Sequence, residues 1–419
     1  MISICIFEDQ HYKSLLPITF GRACYDILLG SNRLISKICH FFSHSNVSLH
    51  CRAHLKPLLK SQYPDYPINT INIGTPCMFI NGRLAMNETT YQVITNIKSE
   101  HNYIFTHQGQ LVAAYLQGEL LEFMRSALEQ VPHSKDLIHY LRTKTICKEL
   151  SDVHLLSDPW DPIYLNLDYI QQDFLIHNQP GIIKASTSPF TAIYDENHIF
   201  IDKNTRIEDF VTISAKNGPV YIEKNVTIES HSRLEGPLFI GEGTHILGGK
   251  IKQSSIGPHC KIAGEVSHCV IAGYSNKAHS GFIGHSYIGE WVNLGAQTTI
   301  SNLKNNYNTV KVHHQNGPQD SGMPFLGAMI GDHCKTSINT AINSGTIIGY
   351  GSVLLNTTTH HQSIPPFSWG TANQYTRHDL KKFLETAKAM MHRRKKELHP
   401  FHEDMIHYLY NQTLHNVAT

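Results

Sequence analysis

Ten residues in the second half of the chain, Ser275-Asn276-Lys277-Ala278-His279-Ser280-Gly281-Phe282-Ile283-Gly284, set a single imidazole among small and hydroxylated neighbours. A neutral imidazole can take a proton from an attacking nucleophile near physiological pH. Small residues beside it leave room for a pantetheine arm, so the stretch suits acyl transfer from a coenzyme A thioester. The chain holds 29 histidines, and most are expected to be solvent-facing polar residues. Position alone promotes His279, which falls where an otherwise regular repeat falters.

That repeat has a period of six. Aliphatic residues recur at Ile201, Ile207 and Ile213, at Ile222, Ile228, Leu234, Ile240 and Ile246, and again at Ile288, Leu294 and Ile300 and at Ile342, Ile348 and Leu354. Four residues after many of these stands a small or β-branched side chain, such as Thr205, Val211, Val226, Ser232, Thr244, Val292, Thr298, Thr346 or Ser352. Six is neither the helical period nor the alternation of an ordinary strand. It predicts a hexapeptide-repeat parallel β-helix, in which the aliphatic side chain fills a triangular prism and the small residue turns its corner. Roughly nine coils are expected over residues 191–370, each burying its apolar edge only by stacking on the next. Between Leu303 and Leu326 the beat is lost in a polar, Asn-rich segment. A loop that long inside a compact domain is expected to be functional, covering a neighbouring subunit or a site.

Residues 1–190 follow a different grammar. ISICIF at 2–7 reads as a buried strand, and FMRSALEQV and DLIHYLRT read as helices, so an α/β domain is expected ahead of the prism. The segment 15–38 suggests a loop carrying Arg22 and Asp26 and then a helix opening near Gly30 to Asn32. FINGRL places Asn81 and Arg83 at the end of an apolar strand, the usual position of ligand groups in an open α/β sheet. Arginines there can clamp phosphate, and equally can bridge loops. From His378 onward, Leu380, Phe383, Leu384, Ala387 and Met391 keep helical spacing and predict a packed helical tail over 371–419.

Composition narrows the functional classes. A net charge of +1 with 16% charged residues gives no electrostatic footprint for nucleic acid. No apolar run approaches the ~18 residues of a membrane span. Nine cysteines without CxxC spacing, behind a start that shows no charged-then-apolar leader, are expected to be reduced thiols in a cytoplasmic protein.

Several stretches carry a family resemblance: NGPVYI at 217–222, GYSNKAHSGFIGHSYIGEWVNLG at 273–295, SNLKNNY at 301–307, GDHCKTSINT at 331–340 and FSWG at 367–370. Together with the shorter LLPITFGR at 15–22, Asp26, Gly30, NGR at 81–83 and the PWDPI segment that runs to Asn166, they resemble the alternate, Bacteroidetes-type form of the bifunctional UDP-N-acetylglucosamine diphosphorylase/glucosamine-1-phosphate N-acetyltransferase family. The resemblance implies a nucleotidyltransferase-like α/β domain followed by a left-handed β-helix, and a homotrimer with acyl sites between adjacent prisms. It implies sugar-phosphate and nucleotide substrates, acetyl-CoA as acyl donor and Mg²⁺ for nucleotidyl transfer. By comparison with the common form of that enzyme, the catalytic histidine falls on His279 and the carboxylate that orients it on Glu265. Sugar- or coenzyme-contacting residues are expected at Asn293, Asn302, Lys277 and Lys304, and a nucleotide site at Arg22, Asp26, Asn81 and Arg83. A sugar-contacting lysine of the common form falls on Ser267 and a tyrosine on Phe282, which leaves the acceptor sugar open. The glycine-rich phosphate-cradling fingerprint of ordinary sugar nucleotidyltransferases is absent from residues 1–40.

Two readings compete with the transferase. A trimeric β-helix can serve as a non-catalytic scaffold, since fold does not imply function. A β-helix metalloenzyme would need imidazoles converging from stacked coils about 18 residues apart, a spacing that His259, His268, His279 and His285 do not share.

Overall fold

The computed structural model describes residues 2–72, 74–129, 134–177, 181–314, 317–355 and 360–413. The chain divides into two compact units, one formed by Met1–Ile27 and Asn32–Asp158, the other by Leu28–Ser31 and Pro159–Thr419.

The first unit is built on a six-stranded sheet. Strands Asn46–Leu49, Ser3–Phe7 and Cys77–Asn81 are parallel neighbours, and Gln110–Leu116 joins Cys77–Asn81 antiparallel. Tyr103–His107 pairs antiparallel with Gln110–Leu116 and parallel with Ile146–Glu149 at the edge. SICIF and CMFIN are buried along almost their whole length, as central strands covered on both faces must be. The two predicted helices form, at Glu119–Leu128 and Ser134–Arg142, and bury Leu120, Leu121, Met124, Leu137 and Leu141 against one face of the sheet. A helix was expected to open near Gly30; it opens instead at Leu34 and runs to Phe41. Gly30 has φ +66°, and a Cβ there would sit 2.5 Å from an Asp173 carboxylate oxygen. The left-handed backbone that only glycine adopts freely therefore makes it a docking turn and not a helix start.

The second unit is a left-handed parallel β-helix of about ten turns followed by two helices. Every aliphatic residue of the six-residue beat is buried in one continuous core. Register lines them up in columns: Ile207 pairs with Ile228, Ile228 with Ile246, and Ile246 with Ile262. The small residues four positions on are buried at the corners, Thr244 donating to the Gly257 carbonyl at 2.9 Å and Ser352 to the Pro365 carbonyl at 2.8 Å. The extra turn relative to the nine predicted arises before residue 191, where Ile182–Ile183 pairs in parallel with Phe200–Ile201. One corner carries rings in place of glycine: His259, Tyr274, Trp291 and His333 all have positive φ and stack in sequence at 5.1, 4.4 and 6.3 Å. Stacking compensates for a backbone region that side chains otherwise avoid.

The Leu303–Leu326 excursion is a β-hairpin, Lys311–His314 paired antiparallel with Gly317–Asp320. It folds back on its own coils, burying Val310 and Val312 completely, and a Cβ on Gly345 would lie 2.4 Å from the Lys311 carbonyl. Within the same unit, Gly30 and Ser31 are tied to the helix Asp161–His177 through Asn166 and Asp173, at 2.9 and 2.7 Å. The tail forms helices Leu380–His392 and Pro400–Gln412, where one was expected; Pro400 stands in the first turn, a position that suits a new helix start and not the interior of a longer one. No helix among the described residues is long and apolar enough to cross a membrane.

Ile262 is fully buried between Ile246 and the next coil. Ile262→Ala should cost roughly 2–5 kcal/mol, read as a lower midpoint in urea denaturation. A loss well under ~1 kcal/mol would mean that the column is loosely packed.

Candidate functional site

Three parallel strands of the first unit end on one edge of its sheet, so the residues that follow them gather there. After Ser3–Phe7 come Glu8 and Asp9, after Asn46–Leu49 comes Arg52, and Cys77–Asn81 ends in Asn81 and leads to Arg83. The Glu8 carboxylate accepts from the Cys24 amide at 2.9 Å, the Arg52 amide at 3.1 Å and Arg52 Nε at 3.2 Å. Arg52 in turn donates to the carbonyls of Thr19 and Arg22, at 2.7 and 2.5 Å, and its guanidinium lies 4.1 Å from the Tyr12 ring centroid. The segment 10–26 is thus wound around one arginine. Burial is the largest influence and lowers the Arg52 pKa, but the Glu8 charge and hydrogen bond together with Cys24 and Tyr12 outweigh it, and the value is raised.

Asp9 centres a second cluster. It accepts from Arg83 Nε at 3.1 Å, Arg83 Nη2 at 2.9 Å, Asn81 Nδ2 at 2.9 Å and the His11 amide at 3.0 Å. Arg83, wholly buried, reaches Gln110 and the Leu156 carbonyl as well. Of the four expected nucleotide-site residues, Asn81 and Arg83 therefore meet on Asp9. Arg22 is buried, with its carbonyl held by Arg52. Asp26 is buried too, accepting from the Tyr63 hydroxyl and lying 3.4 Å from Arg33. Sequence reasoning missed Glu8, Asp9 and Arg52. Their signal was available: two carboxylates directly after ISICIF, and an arginine directly after SLHC.

Burial would raise the Asp9 carboxyl, but the Arg83 charge and hydrogen bonds hold it below its ordinary value. A carboxyl depressed in the folded state adds stability above its unfolded pKa of ~3.9 and loses it as pH falls through the folded value. Asp9→Asn, which leaves Arg83 buried without its counter-ion, should cost about 3–5 kcal/mol at neutral pH. The gap between variant and parent should begin to narrow as pH falls below about 3.9 and close only below the lower folded value. Denaturation curves that stay parallel down to pH 2 would show that the pair is not the source.

In the second unit, His279 is exposed at the corner between strands Asn276–Lys277 and Phe282–Gly284. Glu265, also exposed, lies one coil earlier in register with Phe282, its amide donating to the Gly281 carbonyl at 3.1 Å. The two candidates share a corner on adjacent coils, with no hydrogen bond between their side chains. Ser280 on that corner accepts from Gln297 of the following coil, at its carbonyl (3.0 Å) and its hydroxyl (2.8 Å). Asn293 lies on the face leading into this corner and accepts from Asn276 at 3.2 Å; Asn276 itself accepts from Arg394 at 2.6 Å. Asn302 is bonded to His285 Nδ1 at 2.8 Å, and Lys304 donates to the Thr309 carbonyl at 2.7 Å at the base of the hairpin. Lys277 points inward.

His285, one strand beyond His279, is a wedge. Its ring stacks on His268 at 4.4 Å and on Phe325 of the hairpin at 5.3 Å. Burial, with His268 and Lys252 adding to it, pushes its pKa down to about 4. The expectation that these histidines share no coil spacing thus fails for this pair: coils here run shorter than 18 residues, and His268 and His285, 17 apart, stack on adjacent coils.

Residues 4–179 match the family model described as sugar nucleotidyl transferase. The chain is 35% identical over 165 residues to a bifunctional sugar-1-phosphate nucleotidylyltransferase/acetyltransferase of Sulfurisphaera tokodaii, covering 37% of this chain and 39% of that protein. It is 32% identical over 134 residues to the bifunctional protein GlmU of a Picosynechococcus species, covering 30% and 25%. The chain thus spans about two fifths of the first relative's length and a quarter of the second's. A solved putative acetyltransferase of Bacillus cereus aligns with 53% of this chain and 98% of its own at 14% identity and a TM-score of 0.22, too low to bear on function. At a coarse level, then, the N-terminal part is similar to sugar nucleotidyl transferases. The name of the Sulfurisphaera relative joins nucleotidylyl transfer to acetyl transfer.

Proposed function

We propose that this chain is a transferase of amino-sugar nucleotide synthesis, of the Bacteroidetes-type bifunctional group that its motifs resemble. Its β-helix would pass an acetyl group from acetyl-CoA to the amine of a sugar phosphate, and its α/β unit would carry out uridylyl transfer. The observation that carries the first half is an exposed imidazole, His279, at a β-helix corner bracketed by Ser280 and Gly281 and adjacent to the carboxylate-bearing strand of Glu265. In this reading His279 takes the proton from the amine as it attacks the thioester carbonyl, and the thiolate of coenzyme A leaves. Glu265 fixes the tautomer, and Asn293, Asn302 and Lys304 contact sugar or coenzyme. Assembly into a homotrimer would supply the second wall of the site, since His279 stands open to solvent on the single prism.

In the α/β unit, Glu8, Asp9 and Asp26 are each compensated by a guanidinium of the chain, so the residues present do not make a magnesium site by themselves. Together with the missing glycine-rich fingerprint, this favours a second reading for that unit alone, in which it retains the fold and has lost nucleotidyl transfer.

Purified protein given glucosamine 1-phosphate and acetyl-CoA should release free thiol. His279→Ala should lower the rate about 10²–10⁴-fold with the fold and assembly unchanged. A parent protein that acetylates while His279→Ala keeps its rate would return the histidine to the structural pool. Light scattering at micromolar protein should give the mass of three chains; a monomer mass would remove the shared-site reading. Calorimetry with UTP and Mg²⁺ separates the two readings of the α/β unit, binding that weakens in Arg22→Ala supporting the active one and no binding supporting the degenerate one.

A further inference from the structure

One inward column of the prism is interrupted by a charge. Ile228 pairs with Ile246, Ile246 with Ile262, and Ile262 with Lys277, after which the bridge between Asn276 and Asn293 brings Leu294 into line. Lys277 therefore stands where the four preceding coils in register place Ile207, Ile228, Ile246 and Ile262, and it is 3% exposed. An unpaired ammonium in an apolar column is costly. Burial lowers its pKa to about 8.

Its donors have specific targets. Nζ lies 2.7 Å from the carbonyl of Ala263 and 2.7 Å from the carbonyl of His279 itself. Gly264 makes room for it: a Cβ there would come within 2.8 Å of Nζ. The corner that carries His279 is thus held from three directions. Lys277 holds the His279 carbonyl from inside, Glu265 of the preceding coil holds the Gly281 carbonyl, and Gln297 of the following coil holds Ser280. Only the first of these uses a residue that the column would otherwise make aliphatic.

We propose that Lys277 is a positioning residue for His279, fixing the corner backbone from beneath, and that it does not touch sugar or coenzyme. For the catalytic role of His279 this rests on the acyl-transfer reading above. Methionine has nearly the same length and suits the column, so Lys277→Met removes the donor while leaving the core filled.

In the full-length protein, Lys277→Met should keep its assembly state and melt within about 4 °C of the parent. Hydrogen exchange read by mass spectrometry should quicken at least tenfold at amides 279–282 and stay unchanged in distant coils. A corner displaced by about an ångström can cost up to ~10²-fold, so kcat should fall ten- to hundredfold with KM for acetyl-CoA within twofold. Lys277→Gln, which keeps a donor, should recover part of kcat. In a His279→Ala background, Lys277→Met should cost nothing further, because residues that act through one another are non-additive. A raised KM with unchanged kcat would make Lys277 a ligand contact and overturn the proposal, as would unchanged exchange at the corner. Should the parent protein transfer no acetyl group at all, the acyl-transfer reading fails while exchange still decides whether Lys277 holds the corner.

Discussion

The stacking of inward aliphatic columns is the interaction on which the second unit depends. Each coil contributes three short strands, several only two residues long, and none of these is stable alone. What holds them is burial of one isoleucine, leucine or valine per strand against the same residue of the coils above and below, each worth about 1.5–3 kcal/mol when fully buried. Parallel register is then obligatory, because a slip by one residue would turn the whole column outward. The corners inherit their position from the columns. A side chain at a corner is consequently placed by residues two or three positions away whose only chemistry is to be apolar.

This explains why the candidate acyl site sits at a corner. On the flat faces the outward residues are spaced by the strand ladder and have neighbours above and below; at the corners the chain turns with its backbone exposed and can open. Gly264 and Gly281, at φ +76° and +122°, mark the corner before and at His279, where a Cβ would meet Lys277 Nζ and the Thr298 carbonyl respectively. Glycine there permits close stacking of successive coils, and the polar bonds of Lys277, Glu265 and Gln297 restrain what glycine alone would leave loose. Elsewhere the same prism solves its corners with stacked rings, as from His259 to His333, which leaves no open room.

Legibility from sequence followed the same division. The prism was readable because its energy comes from a repeated choice of residue type, and Ile207, Ile228 and Ile246, all read from the beat, sit in one buried column; Ile262, 16 residues after Ile246, joins that column off the beat. The hairpin at 311–320 was not, because two buried valines in a polar segment set up no period. In the first unit the central strands were visible as apolar runs, yet the pairing of Glu8 with Arg52 spans 44 positions and that of Asp9 with Arg83 spans 74. Nothing local announces such a partner. Asn81 and Arg83 were singled out correctly as strand-end residues, while the carboxylate they converge on was passed over.

The two units therefore illustrate opposite uses of a buried charge. At the strand ends of the first unit, Asp9 and Arg83 satisfy one another and several backbone groups, a closed network whose evident effect is to fix the ends of neighbouring strands. Lys277 has no anionic partner among its hydrogen bonds; its donors end on two carbonyls, one of them belonging to the candidate base. A closed pair can be exchanged for apolar residues with little loss of fold, whereas a lone ammonium among isoleucines weakens the core it occupies. The same column also takes Thr336 between Leu294 and Leu354, but a buried hydroxyl costs the core far less than an ammonium, so the proposed gain at Lys277 has to come from the corner backbone two residues on that it holds.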